Sequence, residues 1–147
     1  MNEFLKKALN QAKIAYKKDE VPVGAVIVKD GKVIARAHNL REKSQNAIAH
    51  AEILCINKAC KKLNSWRLDN CQMYVTLEPC LMCIGAITQS RISKVYYGAK
   101  DLKNGCVSSV LNVNDINITN KIDCEYLQSD ECSNILSEFF KKLRKKK

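Results

Sequence analysis

Proline and glycine are scarce in this 147-residue chain, two and five respectively, and no stretch is repeated or low in complexity. Nothing marks a linker or a boundary, so residues 1–147 read as a single domain, long enough to bury a full core without staples. Long hydrophobic runs are missing as well. No apolar stretch approaches the ~20 residues that cross a bilayer. Met1-Asn2-Glu3-Phe4-Leu5-Lys6-Lys7 carries charge where a signal peptide would be apolar. No membrane role and a cytoplasmic location are the resulting expectations. Acidic residues are outnumbered, 15 against 25 basic ones, for a net charge of +10. A polyanionic partner fits that excess, nucleic acid before an anionic membrane surface; a basic but otherwise ordinary protein fits it equally.

Cysteine, by contrast, is plentiful, with eight residues. In a short secreted chain eight cysteines would suggest a disulfide framework, but a cytoplasmic chain keeps its thiols reduced. Cys80 and Cys83 belong to a motif described below. Cys55, Cys60, Cys71, Cys106, Cys124 and Cys132 read as small, mostly buried apolar side chains.

The patterning predicts alternating helices and strands. Phe4, Leu5, Ala8, Leu9, Ala12, Ala15 and Tyr16 recur at helical spacing, which predicts an amphipathic helix over 3–18. Val23–Val28 and Val33–His38 read as two strands joined through Asp30-Gly31, a strong hairpin signal. Residues 39–47 read as a loop, with Asn46 a candidate cap for a helix from about Ile48 to Leu63. Gln72–Leu77 is a third strand, and Pro79 suits the start of the next helix. Lys94–Gly98 is a fourth strand, residues 101–121 read as irregular, and Ile122–Tyr126 is a candidate fifth strand. Ser129 is a candidate cap for a last helix whose apolar stripe includes Phe139 and Phe140, and which ends in a lysine run. This order predicts a layered α/β domain: the first hairpin antiparallel, the later strands, separated by helices, parallel.

Two short motifs carry the chemistry. His50-Ala51-Glu52 and Pro79-Cys80-Leu81-Met82-Cys83 each fall at a predicted helix start after a β element. One imidazole and two thiolates give zinc three protein ligands and leave a fourth position for water. Zinc lowers the pKa of such a water to about 7. Glu52, two residues past His50, is placed to handle protons as a non-ligand. Together these are the parts of a zinc-activated nucleobase deaminase. Each motif alone says less. His-x-Glu occurs by chance in many helices, and Cys-x-x-Cys also serves redox and structural zinc sites. A thioredoxin-like role has no use for His50-Ala51-Glu52, and a structural zinc needs a fourth protein ligand. Free-base or nucleoside deamination shares the same metal kit and stays open, as does a non-catalytic RNA-binding module. Asn39 reads either as a turn residue or as an amide contacting a base or ribose.

The chain resembles bacterial tRNA-specific adenosine deaminases. The resemblance is carried by Glu20-Val21-Pro22-Val23-Gly24-Ala25-Val26, Ala49-His50-Ala51-Glu52-Ile53, Tyr74-Val75-Thr76-Leu77-Glu78-Pro79-Cys80-Leu81-Met82-Cys83, Gly98-Ala99-Lys100-Asp101, and Asp130-Glu131-Cys132 running on to Phe139-Phe140. It spans nearly the whole chain. It implies conversion of a wobble adenosine to inosine in the anticodon stem-loop of an arginine tRNA, by that family's known zinc mechanism. It further implies one zinc per subunit held by His50, Cys80 and Cys83, with Glu52 shuttling protons. Asn39 and Asp101 would contact the substrate, and Val21, Leu77 and Pro79 would wall the base pocket. A homodimer is implied, as is a cytidine-deaminase-like α/β/α sandwich around a mixed five-stranded sheet. Where many members read Asp-Pro-Thr before Ala-His-Ala-Glu, this chain reads Asn46-Ala47-Ile48.

Overall fold

A mixed five-stranded sheet forms the middle layer of the computed structural model, which describes residues 1–146. Helix α1 (Glu3–Lys17) is followed by β1 (Gly24–Lys29) and β2 (Lys32–His38). Next come a four-residue helix α2 (Arg41–Ser44), α3 (Ala51–Leu63), β3 (Cys71–Leu77), α4 (Leu81–Gln89) and β4 (Lys94–Ala99). A 3-10 turn at Val113–Asp115 precedes β5 (Asp123–Tyr126) and α5 (Asp130–Lys145).

The strand order is β2-β1-β3-β4-β5. The hairpin is antiparallel, as expected, and turns through Asp30 and Gly31, both at positive φ (52° and 75°). That is the pair of left-handed residues a tight hairpin requires. β1 meets β3 antiparallel, while β3–β4 and β4–β5 are parallel.

Alternation along the strands separates two apolar layers. Ala25, Ile27, Met73 and Val75 face α3 and α4, packing on Ala51, Cys55, Ala59, Ile84 and Ile87. Val26, Val28 and Tyr74 point the other way, onto Leu5, Ala8, Leu9 and Ala12 of α1 and Cys132 of α5. The result is the expected α/β/α sandwich. All eight cysteines are free thiols. Among the described residues, no helix is long and apolar enough to cross a membrane.

The structure departs from the pattern reading at several places. Residues 39–47 are not wholly irregular, since they contain α2. Asn46 does not cap α3: its Oδ1 accepts from the Ile48 amide at 3.1 Å, its carbonyl accepts from Ala49, and the helix begins only at Ala51. Phe139 is buried, but Phe140 is 40% exposed and faces a cavity rather than the core.

Candidate metal centre and substrate cavity

His50 and Cys80 occupy equivalent places in the fold. Each is the extended residue that starts a helix, α3 and α4 respectively, and neither spends its side chain capping that helix. Their carbonyls accept the first helical bonds, from Leu54 and Ile84. Both side chains are therefore left for the site, and both helix starts bring positive dipole ends to it. Cys83 follows within the first turn of α4, buried.

The three side chains converge. His50 Nδ1 lies 3.7 Å from Cys80 Sγ and 3.6 Å from Cys83 Sγ. The three ligand atoms all lie within 4.8 Å of one another. A tetrahedral ion with Zn–S about 2.3 Å and Zn–N about 2.0–2.1 Å separates N from S by roughly 3.5–3.6 Å. The donors therefore fit zinc in kind and in spacing. Among the described residues this is the one such cluster of His, Cys and acidic groups, and it brings no fourth protein ligand.

The electrostatics suit a cation. A hydrogen bond from the Cys83 thiol, joined by one from His50, pulls Cys80 down to about 4 despite burial. The same bond, with burial, pushes Cys83 up. The bond to Cys80 raises His50 above its ordinary value. Glu52 is 4% exposed; burial raises its carboxyl, and it lies within hydrogen-bonding reach of the Cys83 thiol. A carboxyl raised by burial holds a proton more readily than an exposed one, which suits a group that must both accept and return one.

These groups form the floor of a cavity of about 850 Å³. It opens beyond the carboxyl ends of β3 and β4, where α/β sheets commonly bind ligands. Val21, Asn39, Leu77 and Asp101 line it; Pro79 does not, and its carbonyl instead accepts from the Cys106 amide at 2.9 Å. Asn39 is buried, with Oδ1 accepting from the Arg41 amide and Nδ2 donating to the Val21 carbonyl at 3.4 Å. Asp101 Oδ1 accepts from the amides of Lys103 and Asn104.

The sequence reading missed two buried carboxylates that position the walls. Glu20 is fully buried and accepts from the amides of Glu42 and Lys43 at 3.0 and 2.7 Å, which fixes α2 and so Arg41 at the cavity. Glu78 is 2% exposed. Its Oε2 accepts from the amides of Val107, Ser108 and Ser109 at 2.9–3.1 Å, and its Oε1 from that of Asp101. Burial alone would raise its carboxyl, but these bonds outweigh burial and hold it below its ordinary value. Gly105 packs so closely on Glu78 that a side chain there would collide with the carboxylate. The far wall, also unforeseen, is α5, through Leu136, Phe140, Leu143 and Arg144. Among the described residues, Arg41, Lys100, Lys103 and Arg144 at this cavity have no carboxylate partner.

A family profile for MafB19-like deaminases matches residues 1–144. A tRNA-specific adenosine deaminase of Aquifex aeolicus is 51% identical over 142 residues, covering 96% of this chain and 94% of the relative. Another, of Bacillus subtilis, is 50% identical over 147 residues and covers 98% of this chain and 91% of the relative. A solved structure from a study of A-to-I editing by tRNA:A34 deaminases at the wobble position of transfer RNA superposes with a TM-score of 0.81 at 44% identity. That match covers 84% of this chain and 95% of the other.

Proposed function

The chain belongs to the MafB19-like deaminase family and to the tRNA-specific adenosine deaminases it matches along almost its full length; on that footing we propose that it converts adenosine to inosine at the wobble position of a tRNA anticodon, by zinc-dependent hydrolysis that releases ammonia. The observation that carries the reading is the convergence of His50, Cys80 and Cys83 with buried Glu52 on a cavity whose cations have no carboxylate partner among the described residues.

One Zn²⁺ per subunit would be held by His50, Cys80 and Cys83 and would make a water acidic enough to react at neutral pH. Glu52 moves the protons. It takes one from the attacking water and delivers it to the purine ring nitrogen as C6 is attacked, then takes the second from the hydroxyl now on C6 and passes it to the leaving amine. The C6–N bond breaks, ammonia departs, and the water oxygen becomes the inosine carbonyl. Asn39 holds the nucleoside, through the amide hydrogen that its bond to Val21 leaves free. Val21 and Leu77 wall the base, with Pro79 fixing the turn behind them. Asp101 shapes the rim that meets the RNA. The target base swings out of its stack into the cavity, which is easier in a loop than in a duplex.

The substrate is the anticodon stem-loop of an arginine tRNA, the assembly a homodimer, and the setting the cytoplasm; residues 1–147 act as one domain. The resemblance to tRNA-specific deaminases supports each of these, and the net charge of +10 suits an RNA partner.

Zinc-loaded protein should be incubated with an anticodon stem-loop bearing a wobble adenosine and, separately, with adenosine, cytidine, cytosine and guanine. Inosine is expected in the stem-loop alone, with activity falling steeply as salt is added, because phosphate contacts release counterions. Product from a free base or nucleoside alone would move the enzyme to small-molecule salvage.

A further inference from the structure

Leu102 is 80% exposed, the highest value among the large apolar side chains of the described residues. It stands at the cavity between Lys100 and Lys103. An apolar side chain held in water gains nothing for the free protein, and a slack loop would fold it inward. This loop has no slack. Asp101 Oδ1 takes the amides of Lys103 and Asn104, both at 3.1 Å, and the Gly105 amide donates to the Asp101 carbonyl at 2.8 Å. From beneath, Glu78 holds Asp101 and residues 107–109. The leucine is thus fixed outward beside the site where a base would be drawn from its stack.

A base that swings out leaves its neighbour with an uncovered face, and proteins that unstack nucleic acid commonly insert an apolar side chain there. We propose that Leu102 is such a wedge: it packs against the nucleotide adjoining the target adenosine and keeps the RNA loop from closing again. The inference rests on the RNA-deaminase reading above. The flanking lysines favour a phosphate-bearing partner over a second copy of this basic chain. They would take the phosphates on either side, while the leucine meets the base.

The test uses full-length, zinc-loaded protein and an anticodon stem-loop with the fluorescent purine 2-aminopurine placed next to the target adenosine, on one side and then the other. Binding to the unaltered protein should raise its emission at one position, as that base loses its stacking neighbour. Leu102→Ala and Leu102→Ser should abolish most of that rise and lower kcat/KM on the stem-loop roughly tenfold, mainly through KM. Leu102→Met should restore both, because another apolar side chain fills the same space. The exposed position leaves folding undisturbed, so a loss of activity reports the interface. Unchanged emission and KM in Leu102→Ala would overturn the wedge while leaving the enzyme's assignment intact. A Leu102→Ala protein that changes its sedimentation, with the emission rise preserved, would assign the leucine to a subunit contact and overturn it too. If the unaltered protein neither binds nor deaminates the stem-loop, the RNA reading itself fails.

Discussion

The Ser109 hydroxyl donates to Glu78 Oε1 across 2.6 Å, tying a loop residue to the residue two positions before Cys80. The hydroxyl and amides that converge on Glu78 leave it no role as a donor. Glu78→Gln would turn an NH₂ group towards some of those amides. The expected cost is about 1–3 kcal/mol, the usual penalty for buried donors left unpaired. Amide exchange should speed up at Val107, Ser108 and Ser109 well before it does in β3. Exchange rates unchanged at those three positions would show that the loop is held by something else.

Substitutions at Glu52 and Cys83 should separate proton transfer from metal retention. Glu52→Gln should keep one zinc per chain and lose at least about a hundredfold in turnover, within the usual range for a general acid–base group. Cys83→Ser should lose stoichiometric zinc. Metal analysis alongside single-turnover rates distinguishes them; a zinc-loaded Glu52→Gln protein with near-normal rates would remove Glu52 from the chemistry. Chelation should abolish turnover yet leave the far-ultraviolet circular dichroism intact, because the two apolar layers do not depend on the metal.

His38 offers a pH signature away from the metal. Burial first, then the nearby Lys18 and Lys58, hold its pKa below the ordinary 6.5. Between that lowered value and 6.5 the unfolded chain carries a proton that the folded chain lacks. His38 therefore destabilises the fold progressively as pH falls from 6.5 through that window, and the effect levels off below it. Nuclear magnetic resonance titration of the ring should give a midpoint under 6.5. Lys18→Gln, which removes the Nζ lying 3.1 Å from His38 Nε2, should raise the midpoint only part of the way, since burial is the larger cause. A midpoint at or above 6.5 in the unaltered protein would contradict this.

Features set by local chemistry were legible in the sequence. Asp30-Gly31 announced its turn, and the spacing of Cys80 and Cys83 announced a shared site, because both depend on residues a few positions apart. The deaminase resemblance and the α/β/α sandwich stand on the same kind of signal, continuous motifs and alternating strands. Glu20 and Glu78 were invisible because their partners are backbone amides more than twenty residues away, and every residue has an amide. Helix α2 was missed because it buries no residue and has no apolar stripe to betray it; Glu20 holds it from outside. Phe140 sits beside Phe139, but successive residues of a helix point about 100° apart, so one fills the core and the other faces the cavity.

The cavity's far wall comes from α5, the last element of the chain, whereas every proton-handling and metal-holding residue precedes β4. A ribosome adds about 5–20 residues per second. The residues for the chemistry are therefore made several seconds, on the order of 3–12, before Arg144 exists. A newborn chain thus carries its metal-holding and proton-handling residues, together with Val21, Asn39 and Leu77 of the near wall, before it carries the far wall. The last helix is the late part of the cavity: until α5 is made, neither its wall nor its share of the core layer beside α1 can form.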